Sequence, residues 1–352
     1  MQEVRGSIPL VSTIWILRKL TEFPVGFSFW LLYFCTIAWG GVCLRWRGNG
    51  CLLLAAFIWG TTFVAQSVGM ENIGPFTYGA ARFFLGVLAL GTLWLLAGGR
   101  KYMPRAVASF RVGAGAGCIM FVASALQQCG MQYTTVGKAS FLTCLYLIFV
   151  PLAGVFLRQH IRAEHWMGAL LAVSGLYFLC VAEGLSFGYG DAMELCGAFF
   201  WTAHILFIDR FAARAEAIAM SLAQVVVVFL LNLATAVLFE TARASDITAA
   251  WFSIFYAGVL STGVAFTLQI VGQREADPAP AAVIMSLESL FGALAGWLVL
   301  GETLSPREVF GCALMGAGMI VSQAGGYAIA AWKKRRQRLA GNSAQSANHY
   351  RL

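Results

Sequence analysis

The chain has 352 residues, of which 59% are hydrophobic and only 11% are charged, whereas a soluble domain is about 45–50% apolar and about 25% charged. Its net charge of +8 lies in short connections and a basic tail, which excludes a nucleic-acid module and leaves the lipid bilayer as the expected partner. Nine cysteines occur without a CxxC pair, so we predict small hydrophobic packing residues and neither a metal nor another cofactor.

The first 47 residues are predicted to form an N-terminal extension with an apolar segment at 23–44 that is long enough to cross a bilayer. Basic residues flank the segment on both sides, so the charge distribution does not choose an orientation. It is an extra span, a signal-like or interfacial segment, or an upstream extension from a misassigned start codon. We expect a membrane-associated segment that is not part of the working core.

Ten apolar runs follow this extension, and each is close to the roughly 20 residues that a transmembrane helix needs. Turns carrying Gly, Pro, Asn or charged residues join them. The sequence therefore predicts an all-α bundle of ten transmembrane helices at residues 50–70, 75–97, 111–132, 136–157, 164–182, 191–208, 217–239, 250–272, 278–299 and 307–329.

The basic residues of the connections are distributed unequally between the two sides of the membrane. The stretch before the first span, the connections after the even-numbered spans and the tail carry 17 Lys and Arg residues, and the opposite side carries only Arg243 and Arg307. Because cytoplasmic loops carry the excess of positive charge, both ends of the core are predicted to be cytoplasmic. Residues 330–352 then form a basic cytoplasmic tail.

The second half of the chain repeats the first at a distance of about 142 or 143 residues. This shift places Trp59 on Trp201, Gly168 on Gly311 and Gly175 on Gly318. Two repeats are predicted, residues 48–182 with spans one to five and residues 190–329 with spans six to ten. Five is an odd number, so the repeats enter the membrane in opposite directions, as in the inverted repeats of secondary transporters. Chance matches of Gly and Trp in apolar sequence are the alternative.

Several short motifs follow one another in a characteristic order along residues 48 to 325. They resemble the EamA-type branch of the drug/metabolite transporter superfamily, and they are Trp59-Gly60-Thr61-Thr62-Phe63, Ala81-Arg82-Phe83, Gly137-Lys138-Ala139-Ser140-Phe141-Leu142, Leu145-Tyr146, Val150-Pro151-Leu152, Gly190-Asp191, Ser286-Leu287-Glu288 and Gly301-Glu302-Thr303-Leu304. The resemblance implies a ten-helix, two-repeat permease of the bacterial plasma membrane, commonly an exporter of amino acids or other metabolites. One departure is Leu157-Arg158-Gln159, where the family has Leu-Gly-Glu, and it puts a role for that loop in doubt.

Three ionisable residues inside the predicted spans are candidates for substrate binding, because such residues are costly in a membrane and usually functional. Glu288 lies near the middle of the ninth span, where it binds a substrate ammonium group, exchanges a proton or serves as a structural carboxyl bonded to Ser286 and Ser289. Arg82 holds a substrate carboxylate, or it pairs with Glu288 or with free backbone carbonyls. Lys138 binds substrate or extends its long stem to the interface.

Aromatic and amide side chains at similar depth are candidates for a cavity wall, or they pack the bundle. The candidates are Trp59, Tyr146, Trp201 and His204 near the middle of the membrane, with Gln127 and Gln128 toward the outside. Rings can face a cation or an apolar group while amides orient the ligand. Pro151 is predicted to kink the fourth span, either for gating or as a static bend.

The motif Gly188-Tyr189-Gly190-Asp191 spells the GxGD of intramembrane aspartyl proteases. That chemistry needs a second aspartate facing the first within the membrane, and no Tyr-Asp partner exists. We expect Asp191 to be an N-cap, as Asn49 would be in the other half. The absence of HExxH, Walker A and GxSxG motifs gives no support to other enzyme chemistry.

The leading hypothesis is a secondary carrier of small molecules that works by alternating access from a midplane site between the repeats. Amino acids or related compounds are the expected substrates, with a proton or an exchange substrate as the coupled species. Export of cationic or apolar drugs is the alternative within transport. An intramembrane enzyme or a lipid-binding scaffold is the alternative of another class, and the sequence carries no signal for an oligomeric state.

Overall fold

The computed structural model describes residues 43–70, 73–96, 103–134, 136–159, 161–181, 187–241, 243–295, 297–298 and 304–323. Most of the predicted N-terminal extension, Glu302 and the predicted tail 330–352 lie outside these described residues. Within them the secondary structure is helical. The helices of the first half are α1 Cys43–Gly69, α2 Pro75–Leu96, α3 Met103–Gly130, α4 Val136–Thr143, α5 Tyr146–Phe156 and α6 Ala163–Cys180.

The second half continues with the same kind of helices. These are α7 Tyr189–Ala212, α8 Ala217–Phe239, α9 Ala244–Ala249, α10 Trp251–Tyr256, a π-helix Ala257–Ala265, α11 Phe266–Gln273, α12 Pro278–Met285, α13 Glu288–Ala295 and, at 306–323, α14. Such a bundle satisfies its backbone hydrogen bonds within each helix, which a bilayer requires.

Seven helical stretches among the described residues are long and apolar enough to cross a membrane. They are Pro75–Leu96, Val107–Gly130, Lys138–Phe156, Tyr189–Ala212, Ala217–Phe239, Trp251–Gln273 and Pro278–Ala295, and they fall on predicted spans two to four and six to nine. Large apolar side chains on the outer surface are exposed, among them Leu96 at 80% and Phe156 at 81%. These surfaces face lipid rather than water.

Helices α1, α6 and α14 occupy the positions of predicted spans one, five and ten, so the count of ten spans stays a prediction. Helix α1 begins at Cys43, well before the predicted start at residue 50. The expected N-cap role of Asn49 is therefore wrong, because Asn49 lies inside α1 and its Nδ2 donates to Gln323 Oε1 at 2.9 Å. The helix continues through this region because the backbone of Gly48 packs against Gly272 and its N–H donates to Glu275.

The fourth and ninth predicted spans are each interrupted by a short break. Helix α4 ends at Thr143 and α5 begins at Tyr146, while α12 ends at Met285 and α13 begins at Glu288. The backbone N–H groups of Leu145 and Leu287 within the breaks, and of Leu147 and Ser289 just after them, bond to the carbonyl three residues earlier, as in a 3₁₀ turn. Pro151 lies inside α5, which continues to Phe156, so the interruption precedes the predicted kink.

The eighth predicted span also departs from one continuous α-helix. Its middle third, Ala257–Ala265, is a π-helix between α10 and α11. π-Helical segments are rare and frequently lie at functional sites. The following residue, Phe266, begins α11 and projects into the cavity described below.

A glycine seam joins α6 and α14, and we define it by Gly168, Gly175, Gly311 and Gly318. Gly168 packs on Gly318 and Gly175 packs on Gly311, because a Cβ at Gly168 would lie 2.7 Å from the Gly318 carbonyl oxygen and one at Gly311 would lie 2.6 Å from that of Gly175. As the residue number rises along α6 its partner on α14 falls, so the two helices are antiparallel. Small residues at such contacts allow backbones to approach closely in a membrane.

Candidate functional site

A cavity lies between the two halves of the bundle. Its space, including the part open to solvent, is about 610 Å³. Residues of α1 to α5 line one side of it, and residues of α7, the π-helix and α11 to α13 line the other. Six of the candidate residues line it, namely Trp59, Arg82, Gln127, Tyr146, Trp201 and Glu288.

Glu288 is the first residue of α13, and its side chain is only 7% exposed. Its Oε1 accepts hydrogen bonds from the Tyr146 hydroxyl and the Cys144 thiol, each at 3.3 Å. The expected bonds to Ser286 and Ser289 are wrong, because the Ser286 hydroxyl donates to the Val283 carbonyl and Ser289 pairs with another serine. The break before Glu288 turns the carboxyl toward the first half of the chain.

The thiol of Cys144 therefore does more than fill space. It lies at the break between α4 and α5, is fully buried, and contacts both Glu288 and the Ser289 hydroxyl at 3.3 Å. A thiol is a weak donor, so it stabilises a carboxylate less than a hydroxyl would. Cys144 belongs to the buried hydrophobic core, as predicted for the cysteines, and its thiol in addition contacts polar groups.

Arg82 is 6% exposed within α2 and has one hydrogen-bond partner, Gln66 Oε1, to which its Nη1 donates. Its guanidinium lies 4.8 Å from the centroid of the Phe83 ring, within range of a cation–π interaction. The expected pairing with Glu288 is absent from the ion pairs of the described residues, although both side chains line the same cavity. The Nε of Arg82 has no hydrogen-bond partner.

Two tryptophans and a phenylalanine form an aromatic wall of the cavity. Phe266 lies between them, with its ring centroid 5.1 Å from that of Trp59 and 6.2 Å from that of Trp201. The indole Nε1 atoms of both tryptophans are buried and find no hydrogen-bond partner in the part of the chain that the structure describes. Buried donors are nearly always satisfied in proteins, and each exception calls for an explanation. A bound acceptor would provide one.

The remaining predicted site residues do not line the cavity. Lys138 lies 3.9 Å from Asp191 Oδ2, and His204 is fully buried with its Nε2 3.2 Å from Gln224 Oε1. Gln128 is buried close to Gly79, and the neighbouring Gln127 lines the cavity instead. Pro151 is also absent from the lining.

Asp191 stabilises the start of α7, though not from the predicted position. The N-cap is Gly188, and Asp191 is the third residue of the helix. Its Oδ2 accepts from the Gly188 backbone N–H at 2.9 Å and its Oδ1 accepts from the Thr134 hydroxyl at 2.5 Å. The Asp191 carboxylate thus makes one half of a capping box, the bond to the N-cap backbone N–H, because Gly188 has no side chain that could return a bond to the helix.

Sequence reasoning missed three polar residues that the structure places in or beside the cavity. Gln66 and Gln269 line it, and Glu194 is completely buried and bonded to Thr143, which also lines it. The signal was available for Glu194, because it is an acid inside the sixth predicted span and the same rule had selected Glu288. The amides carried no comparable signal, since uncharged polar residues are common in membrane helices.

An all-helical bundle with apolar outer faces and buried charges around an internal cavity defines a multi-pass membrane protein with a small-molecule site. Comparison with known proteins agrees with this class. The chain belongs to the EamA-like transporter family, whose domain matches twice, at residues 46–181 and 188–323.

Two relatives and one solved structure show how far the similarity extends. An uncharacterized transporter of Archaeoglobus fulgidus is 30% identical over 271 residues, which cover 77% of this chain and 83% of the relative. The uncharacterized transporter YoaV of Bacillus subtilis is 23% identical over 284 residues, covering 77% of this chain and 94% of YoaV. A crystal structure with 20% sequence identity aligns with a TM-score of 0.69 over 78% of this chain and 96% of its own, and it shares the fold.

Proposed function

We propose that this transporter is a secondary-active exporter of small zwitterionic metabolites, most simply amino acids or related compounds, that works by alternating access. It acts in the plasma membrane through ten spans arranged as two inverted five-helix repeats, with the C-terminal tail in the cytoplasm. The cavity between the halves is the substrate site. Arg82 and Glu288 recognise the two ends of the substrate.

The chemistry of the cavity is the observation that carries this proposal. Within the described ranges of the chain, three buried donor atoms of cavity-lining residues lack partners, namely Trp59 Nε1, Arg82 Nε and Trp201 Nε1. A substrate carboxylate accepts several hydrogen bonds at once and would satisfy such donors. Glu288 supplies the opposite charge for an ammonium group, so the same cavity can hold both ends of a zwitterion.

The helix breaks support a site near the middle of the membrane. Secondary transporters place substrates at the interface of two repeats, where discontinuous helices expose free backbone groups. Here the breaks at residues 144–145 and 286–287 lie inside the stretches Lys138–Phe156 and Pro278–Ala295, which are long enough to span. Tyr146 and Glu288 follow the two breaks and both line the cavity.

The glycine seam supports the inverted arrangement. Gly168 and Gly311 are repeat equivalents, and so are Gly175 and Gly318. In the structure Gly168 contacts Gly318 while Gly175 contacts Gly311. Each of these two contacts becomes the other when both glycines are replaced by their repeat equivalents. A two-fold axis between the halves produces contacts of this kind. An axis of this kind in the membrane plane relates repeats of opposite orientation.

Exchange by the purified full-length protein in liposomes tests the proposal. Liposomes loaded with an unlabelled amino-acid mixture should take up labelled amino acids, and Glu288→Gln should reduce the initial rate at least tenfold, because a charge-assisted hydrogen bond contributes about 1.5–3 kcal/mol. Asp246→Asn is the matched control, because this substitution also removes one negative charge and lies on helix α9, outside the cavity. Transport by Glu288→Gln at the control rate would contradict the assigned role.

The aromatic wall favours a second candidate, the export of cationic or apolar drugs. Rings at Trp59, Trp201 and Phe266 can bind a cation or an apolar surface without Arg82. A panel of lipophilic cations in the same liposomes separates the two candidates. Uptake of these cations with no exchange of amino acids would favour the drug exporter.

A further inference from the structure

Glu194 is the most deeply buried carboxyl among the described residues of the cavity region, and the substrate site does not use it. It lies in the second turn of α7, is 0% exposed and is absent from the cavity lining. Among the described residues one hydrogen bond reaches it, from the Thr143 hydroxyl to Oε2 at 2.8 Å, and its Oε1 has no partner there.

No basic side chain of the described residues forms an ion pair with this carboxyl. The nearest titratable groups are Asp191 one turn earlier on α7 and the Cys129 thiol on α3. The ammonium of Lys138 pairs with Asp191, and Glu240 lies beyond Cys129, where it accepts bonds from the first backbone amides of α2. Within the part of the chain that the structure describes, the surroundings of Glu194 therefore supply no ion-pair partner that would compensate a negative charge on this carboxyl.

The end of helix α3 makes a negative charge at Glu194 still less favourable. Gly130 is the last residue of α3, and a Cβ there would lie 2.7 Å from Glu194 Oε1. The carboxyl thus occupies space that is free only because residue 130 is a glycine. It also lies against the C-terminus of α3, which is the negative end of the helix dipole. An isolated ionised carboxylate is very costly in such a place.

Thr143 connects Glu194 to the substrate cavity. Its hydroxyl donates to Glu194 and accepts from Gln127 Nε2 at 3.4 Å, and both Thr143 and Gln127 line the cavity. Thr143 is also the last residue of α4, directly before the break that precedes Tyr146. A change at the Glu194 carboxyl is therefore transmitted through Thr143 to the break between α4 and α5. Helix α5 begins after that break with Tyr146, which is hydrogen bonded to Glu288.

We propose that Glu194 is a proton-binding residue that couples substrate transport to proton movement through Thr143. In one state the carboxyl holds a proton. In the other it releases that proton to water on one side of the membrane and later takes one up from the opposite side, so that one proton moves per cycle. The coupling part of this inference rests on the proposed transport function, whereas the protonation part does not.

Infrared spectroscopy of the full-length protein in lipid tests the protonation directly. The C=O stretching band of a protonated carboxyl should be present at neutral pH, decrease by one carboxyl in Glu194→Gln, and persist in the control Asp191→Asn. Glu194→Asp, which keeps the acid, should shift the band rather than remove it, and it serves if the glutamine variant does not fold. An unchanged carboxyl band in Glu194→Gln would overturn the inference.

A pH gradient across liposomes tests the coupling. Exchange of one proton per substrate predicts about tenfold accumulation of labelled amino acid per pH unit. Glu194→Gln, which mimics the protonated carboxyl, should lose this accumulation, so that its uptake of labelled amino acid is the same with and without the gradient. Thr143→Val should reduce the accumulation that the gradient drives. Gradient-driven accumulation by Glu194→Gln at the wild-type level would overturn the coupling. A wild-type protein that moves no amino acid would contradict the proposed function instead, and the infrared band would still decide the role of Glu194.

Discussion

Tyr146 and Glu288 lie 142 positions apart in the chain and are hydrogen bonded to each other, with the phenolic oxygen 3.3 Å from Glu288 Oε1. Each is the first residue after a helix break, Tyr146 at the start of α5 and Glu288 at the start of α13. The two residues therefore occupy equivalent positions in the two halves and contact each other at the cavity. The first half has a phenol at this position and the second half has a carboxyl, so the pair is chemically asymmetric although the two positions are equivalent.

This pair gives a first prediction. Tyr146→Phe removes one of the two donors to Glu288 and should lower the initial rate of amino-acid exchange about threefold to tenfold, the effect of losing about 0.5–1.5 kcal/mol. Tyr133→Phe removes a hydroxyl from a residue that is 65% exposed and serves as the control. Equal rates for Tyr146→Phe and Tyr133→Phe would show that the hydroxyl does not support Glu288.

Arg82 provides a second prediction, which separates zwitterions from simple cations. Arg82→Ala should weaken the apparent affinity for amino acids at least tenfold, because a charge-assisted hydrogen bond is lost, and it should leave affinity for the corresponding decarboxylated amines nearly unchanged. Competition against labelled substrate measures both. The control is Arg111→Ala, at an exposed position of α3. Equal weakening for amines and amino acids would mean that Arg82 holds the fold rather than the carboxylate.

The glycine seam provides a third prediction, on stability. Gly318→Ala should lower the thermal unfolding temperature by the equivalent of about 1–3 kcal/mol, since its Cβ would lie 2.6 Å from the Gly168 carbonyl oxygen. Gly316→Ala, on the same helix, meets no atom within 4 Å and should stabilise slightly through helix propensity. The prediction fails if the two alanine variants unfold at the same temperature.

Membrane orientation gives a fourth prediction. A reporter that is active only in the cytoplasm, fused after Leu352, should be active, because 17 of the basic connection and tail residues belong to that side. The same reporter inserted beside Ser245 should be inactive, since that connection belongs to the side with only two basic residues. An inactive reporter after Leu352 would place the tail outside the cytoplasm and would contradict the proposed ten-span arrangement.

Asp191 gives a fifth prediction, which concerns the enzyme alternative. Its carboxylate holds the Gly188 backbone N–H and the Thr134 hydroxyl, so Asp191→Ala should destabilise α7 by about 1–2 kcal/mol while exchange is retained. Cleavage of a helical peptide by the wild type, abolished in Asp191→Ala, would support a protease instead. Measurements of thermal unfolding and of amino-acid exchange on the same preparation distinguish the capping role of Asp191 from a protease role.

The sequence predicted those parts of the molecule that depend on long apolar patterns. Arg82 and Glu288 are candidates because charged groups inside apolar runs are costly. Trp59, Gln127, Tyr146 and Trp201 are candidates because rings and amides at similar depth suit a cavity wall, and the fold brings these six residues together. Seven of the predicted spans meet the length and composition of a membrane helix. The family relationship was carried by local motifs, and its domain matches the chain twice.

Features set by tertiary contacts were not predictable in this way. The breaks at Cys144 and Ser286 contain neither Gly nor Pro, so no turn signal marked them. The π-helix Ala257–Ala265 contains two glycines, a serine and a threonine, and because such residues are common in membrane helices they gave no specific signal. Asn49 resembled an N-cap because asparagine often begins a helix, but packing of Gly48 against Gly272 extends α1 past it. Lys138 and His204 found partners outside the cavity, which only the arrangement of α7 and α8 decides.

The seam between α6 and α14 has a consequence for the spacing of the two helices. Each of its four glycines lies against a backbone carbonyl of the opposite helix, so backbone contact sets how closely the helices approach. Any larger residue at one of these positions would push α6 and α14 apart. The distance between the two antiparallel counterparts is therefore fixed by the absence of four side chains.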